Sequence, residues 1–175
     1  TEWCAPIVPV LKKDGKSVRI TTDYKKLHAQ VRRERYMLPT VEDIMCKLKG
    51  AKVFSKLDAT SGFFQLPLDE DSKRLTAFIT PFGRYVFKRL PQGICSAPEI
   101  FQRTVERILG NQEHVVCFFN DILVFSDNER DHEIHLEETK NRLREANVKI
   151  NLGKCEFRKV EVEFLGYHIS GEGIS

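Results

Sequence analysis

No apolar run in the 175 residues approaches the roughly 20 needed to cross a membrane. The opening stretch TEWCAPIVPV has neither a basic leader nor a small-residue cleavage site. These absences point to an intracellular, cytoplasmic chain with no membrane partner. Cysteine is scarce: Cys4, Cys46, Cys95, Cys117 and Cys155 are odd in number, scattered, and never form a Cys-x-x-Cys pair. That argues against both a disulfide framework and a zinc site. No internal repeat, low-complexity tract or Pro/Gly/Ser-rich linker divides the sequence. With 41% hydrophobic residues it is long enough for one soluble domain with its own core. Both ends read as cuts, since the first residues enter an extended apolar segment and the last, GEGIS, stop in a turn. A piece of a longer polypeptide is expected.

A strong charge of one sign is also missing, the formal net charge being only +3. Its distribution is uneven. Residues 1–35 carry Lys12, Lys13, Lys16, Arg19, Lys25, Lys26, Arg32, Arg33 and Arg35 against Glu2, Asp14, Asp23 and Glu34, leaving +5 there and −2 elsewhere. A basic segment beside a neutral remainder suits a phosphate-bearing partner, although a solvated face gives the same pattern.

Strands and helices alternate along the rest. IVPVL, the turn KKDGK and SVRITT read as two strands around a glycine bend. Thr40 is placed to cap a helix whose apolar residues Val41, Ile44, Met45 and Leu48 follow helical spacing until Gly50. AKVFSKLD is a strand ending on Asp58, and LTAFIT, the turn PFG and RYVFKRL form an antiparallel pair. SAPEIFQRTVERILG has Ser96 and Glu99 at capping-box spacing, and Gly110 as its stop. A charged helix over about 130–146 places Leu136, Thr139, Leu143 and Ala146 on one face, with Glu138 and Arg142 as an i, i+4 pair. VKINL and VEFLGYHIS read as further short strands. His132 and His135 are three apart on the charged helix, a spacing that more often packs or faces solvent than binds metal.

The stretch VVCFFNDILVFS consists of two apolar runs separated by Asn120 and Asp121. Alone, it is a β-hairpin whose turn residues tolerate the left-handed conformation. The fold class expected from the element order is α+β, an antiparallel sheet with helices on one face. In such a sheet the end of FSKLD and the hairpin tip can lie together, bringing Asp58 against Asn120 and Asp121. Converging carboxylates require a cation, and hard oxygen donors imply magnesium. Two such ions about 3.5–4 Å apart serve in-line nucleotidyl transfer.

Six stretches in order, LKKDGKSVRITTDYKKLH, YMLPTVEDI, FSKLDATSGFFQLPL, TAFITPFGRYVFKRLPQGICSAPEIFQ, FFNDILVFS and KCEFRKVEVEFLGYHIS, resemble the reverse transcriptases of gypsy-type long-terminal-repeat retrotransposons and their retroviral relatives. The resemblance implies a polymerase palm, ferredoxin-like and RRM-like, with a fingers subdomain and no thumb. Fingers are expected over about 1–33 and 66–96, palm over about 34–65 and 97–175. It implies Asp58 and Asp121 as catalytic, metal-binding carboxylates, the Ala59 backbone carbonyl as a further ligand, and Phe63 as a steric gate against a 2′-hydroxyl. Lys12 and Arg19 would grip the triphosphate, Gln92 would line the nucleotide pocket, and Gly166 with Tyr167 would belong to the primer grip. The implied cofactor is Mg2+, or Mn2+ in its place. The implied partners are an RNA or DNA template with primer, dNTPs, and the rest of a Pol polyprotein with thumb, ribonuclease H and integrase. The implied setting is a virus-like particle in the cytoplasm, with dimerisation of the parent left open.

The sequence departs from the family at the hairpin tip. The family reads aromatic, any residue, Asp, Asp, whereas this chain reads Phe118, Phe119, Asn120, Asp121. Asn120 replaces a carboxylate expected to bridge both metals by a neutral amide, a weaker ligand for a hard dication. An impaired polymerase is expected, with a catalytically dead nucleic-acid-binding scaffold as the alternative. Lys25 and His28 also stand where such relatives usually have Arg and Asn. An unrelated RNA-binding sheet domain would show aromatic stacking motifs of the K/R-G-F/Y type, which are absent here.

Overall fold

Periodicity and capping decide where the elements fall. The computed structural model describes residues 4–11, 15–31 and 36–174. In chain order the elements are β1 (Ala5–Leu11), β2 (Val18–Thr22), α1 (Lys25–His28), α2 (Val41–Lys47), β3 (Val53–Asp58), α3 (Glu70–Leu75), β4 (Phe78–Thr80) and β5 (Gly83–Tyr85). They continue with α4 (Ala97–Leu109), β6 (Val115–Phe118), β7 (Asp121–Ser126), α5 (Glu129–Glu145), β8 (Glu156–Lys159), β9 (Glu161–Phe164), β10 (Tyr167–Ser170) and β11 (Gly173–Ile174). Short 3-10 turns occupy Gly62–Gln65 and Leu152–Lys154. Among the described residues no helix is long and apolar enough to cross a membrane. The chain forms two compact units, Thr1–Arg35 with Phe63–Phe101, and Tyr36–Gly62 with Gln102–Ser175.

The first unit holds a four-stranded sheet in the order β2-β1-β4-β5. Strands β1 and β2 are antiparallel and β1 runs parallel to β4; of the expected turn KKDGK, residues 12–14 lie outside the described residues, and Gly15 takes φ +65°. Its small core gathers Ala5, Tyr24 and Leu27, with Val31 and Ile94 against them. The Tyr24 hydroxyl donates to the Thr76 carbonyl at 3.1 Å, and burial pushes its pKa up to about 12. Gly93 has φ +99°, and a Cβ there would lie 3.0 Å from the Thr22 carbonyl oxygen, so only glycine fits that turn.

The second unit is built on the antiparallel sheet β6-β7-β3-β8, with a second sheet β11-β10-β9. Side chains alternate across β3 and β7, and directly opposed residues share a face. One face therefore carries Phe54 opposite Phe125, Lys56 opposite Leu123, and Asp58 opposite Asp121. Its far end is closed by Ile44 and Leu48 of α2 and by Val162, Phe164 and Ile169 of the second sheet, all in one buried cluster with Phe54, Leu123 and Phe125. Phe54 is fully buried at its centre. Phe54→Ala is expected to cost about 3–5 kcal/mol, read as a shift of the denaturant midpoint.

The opposite face carries Ser55 and Ser126, against which α5 packs through His132, Leu136, Thr139 and Leu143. Asn128 caps α5, its side chain accepting from the Asp131 N–H. His132 is 1% exposed, its Nε2 2.7 Å from Ser55 Oγ and its Nδ1 3.1 Å from Ser126 Oγ. Ser126 Oγ also lies 2.8 Å from His135 Nδ1, and the His135 ring stacks on His114 at 3.4 Å. The two histidines of the charged helix thus lock it to the sheet through serine hydroxyls.

Desolvation first, and the neighbouring imidazole second, hold both His132 and His135 below the ordinary histidine range. Opposing this are Glu133 near His132, and Asp127, Asp131 and Glu138 near His135, while Arg158 adds to the lowering at His132. The folded state therefore binds fewer protons than the unfolded chain once pH drops below the unfolded value of about 6.5. Stability from these sites is complete above that pH and is lost as pH falls toward the folded pKa values. Denaturant midpoints should decline below about pH 6.5, and His132→Gln should flatten that decline.

Several local expectations needed correction. VKINL forms no strand: Ile150 makes an isolated bridge to Ala59, and Leu152–Lys154 is a 3-10 turn. The Lys154 and Cys155 N–H groups fold back onto Asn151 and Leu152 carbonyls, a use suited to Asn151 and Gly153 at a turn. Ala146 is the exposed C-cap of α5 rather than part of its buried face. Helices α1 and α3 escape a periodicity reading because they are short and polar, α3 burying no residue and depending on the Asp69 cap.

Candidate active site

Strand β3 ends on Asp58 and β7 begins on Asp121, and the register pairs these two residues directly. The backbone around them is fixed. The Asp58 carbonyl accepts from the Asn151 N–H at 2.8 Å, and the Ala59 N–H donates to the Asn120 carbonyl at 2.8 Å. The structure thus brings together Asp58, Ala59, Asn120 and Asp121, as the sequence pattern requires.

The hairpin turn differs from expectation by one residue. Phe118 pairs with Asp121, so the two loop residues are Phe119 and Asn120, and Asp121 is already in the strand. The left-handed φ, +52°, falls on Phe119 rather than on Asn120 or Asp121. A bulky residue there costs on the order of 1–3 kcal/mol and persists only where surrounding contacts impose it. The shift leaves both Asp58 and Asp121 anchored on strands.

Asp121 is half-buried, and its carboxyl is held above the ordinary range mainly by desolvation. Lys56 and Lys154 pull it down, while Asp58 pushes it up. Lys154 Nζ lies 3.7 Å from Asp58 Oδ2, and Lys56 Nζ donates to the Glu163 carbonyl at 2.9 Å. The side-chain Oδ1 of Asn120 is buried with no hydrogen-bond partner. Among the described residues no three His, Cys, Asp or Glu side chains converge to hold a metal ion. The cluster holds two carboxylates with two ammonium groups at its border, and Asn120, next to Asp121 in the chain, adds a buried amide oxygen. An unpaired buried amide oxygen facing no donor fits a site whose missing partner is a cation.

The remaining residues singled out in the sequence sit on other elements. Lys12 falls outside the described residues. In the first unit, Arg19 is an exposed residue of β2 opposite Val10, and Phe63 lies in the 3-10 turn with its ring edge-on to Phe101 at 5.6 Å. Gln92 is half-buried in the turn before α4, preceding Gly93. In the second unit, Gly166 and Leu165 both take positive φ in the tight turn between β9 and β10, and Tyr167 opens β10 opposite Phe164.

Sequence reasoning missed Lys154, Lys56 and Gln102 as neighbours of the cluster. Lys154 opens the quoted stretch KCEFRK, and Gln102 closes SAPEIFQ, but spacing alone gives neither a place beside the hairpin.

The sequence matches the family described as reverse transcriptase (RNA-dependent DNA polymerase) over residues 10–169. The chain belongs to the reverse transcriptase family. The Tf2-3 and Tf2-7 transposon polyproteins of Schizosaccharomyces pombe are 37% identical to it over 172 residues, covering 97% of this chain and 13% of each polyprotein. The chain therefore spans about one eighth of the length of these relatives. A foamy viral protease-reverse transcriptase solved with double-stranded DNA superposes with a TM-score of 0.91 at 31% identity, covering 98% of this chain and 30% of that one. The same viral enzyme solved with an RNA/DNA hybrid gives 0.90 at 30% identity, covering 98% of this chain and 23% of that one. The α+β architecture of this chain is thus the fingers-and-palm fold of reverse transcriptases.

Proposed function

We propose that this chain supplies the fingers, as the first compact unit, and the palm, as the second, of an RNA-directed DNA polymerase in a gypsy-type retrotransposon polyprotein. The reaction is transfer of a nucleotide from a dNTP to a primer 3′-hydroxyl on an RNA or DNA template. The observation that carries the reading is the direct pairing of Asp58 with Asp121 beside the buried, unpartnered Asn120 oxygen.

Asp58 and Asp121, with the Ala59 carbonyl, are the residues to hold magnesium, or manganese in its place, their hard oxygens matching its preference. When bound, the metal supplies charge neutralisation at the phosphates and activation of the primer hydroxyl. Lys154 and Lys56 bias the site toward anionic substrate. Arg19, together with Lys12, presents cationic donors to a triphosphate, Arg19 by a bidentate fork. Phe63 gates the sugar, Gln92 lines its pocket, and Gly166 with Tyr167 positions the primer end. The thumb of the polyprotein completes substrate grip, and its ribonuclease H and integrase accompany it, in a cytoplasmic virus-like particle.

In this copy Asn120 weakens the site, because a neutral amide stands where the family pattern has a carboxylate beside Asp121. The same residue favours a second reading, a catalytically dead scaffold that still binds nucleic acid. Both are tested in the parent-length polymerase. RNA-templated primer extension by the Asn120→Asp variant, with none when dNTP or divalent ion is withheld, is the expected result. A folded variant that fails to extend contradicts the site assignment. For the chain as it stands, metal-dependent dNTP binding identifies an impaired polymerase, and its absence identifies a scaffold.

A further inference from the structure

Gln102 is fully buried on α4, and each polar atom of its side chain is engaged. Its Oε1 accepts from the Phe119 N–H at 2.7 Å. Its Nε2 donates to the Cys117 carbonyl at 2.7 Å and to Glu106 Oε1 at 2.7 Å. The amide orientation is unambiguous, since a backbone N–H only donates and a carbonyl only accepts. Glu106 Oε2 in turn accepts from the Tyr36 hydroxyl, a contact that raises the Tyr36 pKa.

The two backbone groups held by Gln102 flank Phe118, on the strand leading to the turn, and one belongs to Phe119, the residue with strained φ of +52°. Cys117 adds its thiol, which donates to the Phe119 carbonyl at 3.4 Å. No glycine relieves this turn, so side-chain contacts must impose its shape. The turn shape sets where residue 120 presents its oxygen and where β7 starts, hence the placement of Asp121 opposite Asp58.

We propose that Gln102 is a positioning residue for the catalytic hairpin, fixing the Phe119 turn through its two-ended amide and being itself oriented by Glu106 and Tyr36. The inference rests on the site assignment above, with Asp58 and Asp121 as metal-holding carboxylates. It gives the buried glutamine of SAPEIFQ a function that packing alone does not require, because a leucine would fill the same space without bonding the turn.

The test is Mn2+ affinity, followed by electron paramagnetic resonance without turnover, in the parent-length polymerase carrying Asn120→Asp. Gln102→Leu is expected to weaken Mn2+ binding by about 10–100-fold, the usual effect of losing a partner that orients a metal-binding group. Leu136→Ala, a core change on α5 at the opposite face of the sheet, lowers stability and should leave the affinity of the folded protein unmoved. If Gln102→Leu does not fold, Gln102→Glu replaces it: a carboxylate there cannot donate to the Cys117 carbonyl and faces Glu106, and the same weakening is expected. Unchanged affinity in a folded Gln102 variant, or an equal loss in Leu136→Ala, overturns the proposal. Asp58→Asn separates the two levels: if it leaves Mn2+ binding intact, the site assignment itself is wrong, whereas its loss alongside unaffected Gln102 variants removes only the positioning role.

Discussion

Asn120→Asp in the parent-length polymerase is expected to raise the single-turnover rate of primer extension by at least about 10²-fold over the chain as it stands. The expectation follows from charge. Asp58 and Asp121 are paired across two strands, and Asn120, in the turn just before Asp121, carries a neutral oxygen that is buried and unbonded. An amide and a carboxylate are nearly isosteric, so the substitution changes the field without repacking the turn. The Asn120 backbone is already fixed by its carbonyl bond from Ala59 and should stay in place. Equal rates in the two proteins would mean that two carboxylates suffice and that position 120 carries no part of the metal charge.

The opposite substitution on the neighbouring strand should have the converse effect. Asp58→Asn in the Asn120→Asp background is expected to lower extension by on the order of 10³-fold or more, since it removes a charge from a preorganised site while keeping its shape. The Asp58 carbonyl remains bonded to the Asn151 N–H, so the strand end should not move. Lys154 loses its carboxylate partner at 3.7 Å, which leaves the site more positive and less able to hold a dication. Glu133→Gln is the control, because its ion pair with Arg158 is solvent-exposed on α5 and such pairs contribute little. A rate for Asp58→Asn close to that of the control would contradict the assignment.

Much of this was legible in the residues, for identifiable reasons. Thr40 and the spacing of Ile44 and Leu48 specify α2, and the structure adds the capping box that Asp43 completes with Thr40. The apolar run in DILVFS and the strand AKVFSKLD specify β7 and β3, and the element order of an antiparallel sheet can set their ends side by side, so Asp58 could be placed near the hairpin. The position of the strained residue was not legible, because turn propensities favour Asn and Asp at left-handed positions while tertiary bonds from Gln102 impose that conformation on Phe119. Lys154 was hidden for a related reason: it reaches Asp58 from a 3-10 turn that replaced an expected strand. His132 and His135 were legible as packing residues, but the Ser55 partner of His132 was not, since it is remote in sequence and is brought to the helix only by the sheet.

The central claim is that Asp58, Asp121 and residue 120 form one divalent-metal centre and that Asn120 weakens it. Manganese binding to the parent-length polymerase, titrated by electron paramagnetic resonance for the chain as it stands and for Asn120→Asp, tests it most directly. Tighter binding or an additional tightly held ion in the Asn120→Asp protein, lost again when Asp58→Asn is added, is the predicted result. Identical affinity and stoichiometry in both proteins would contradict the account.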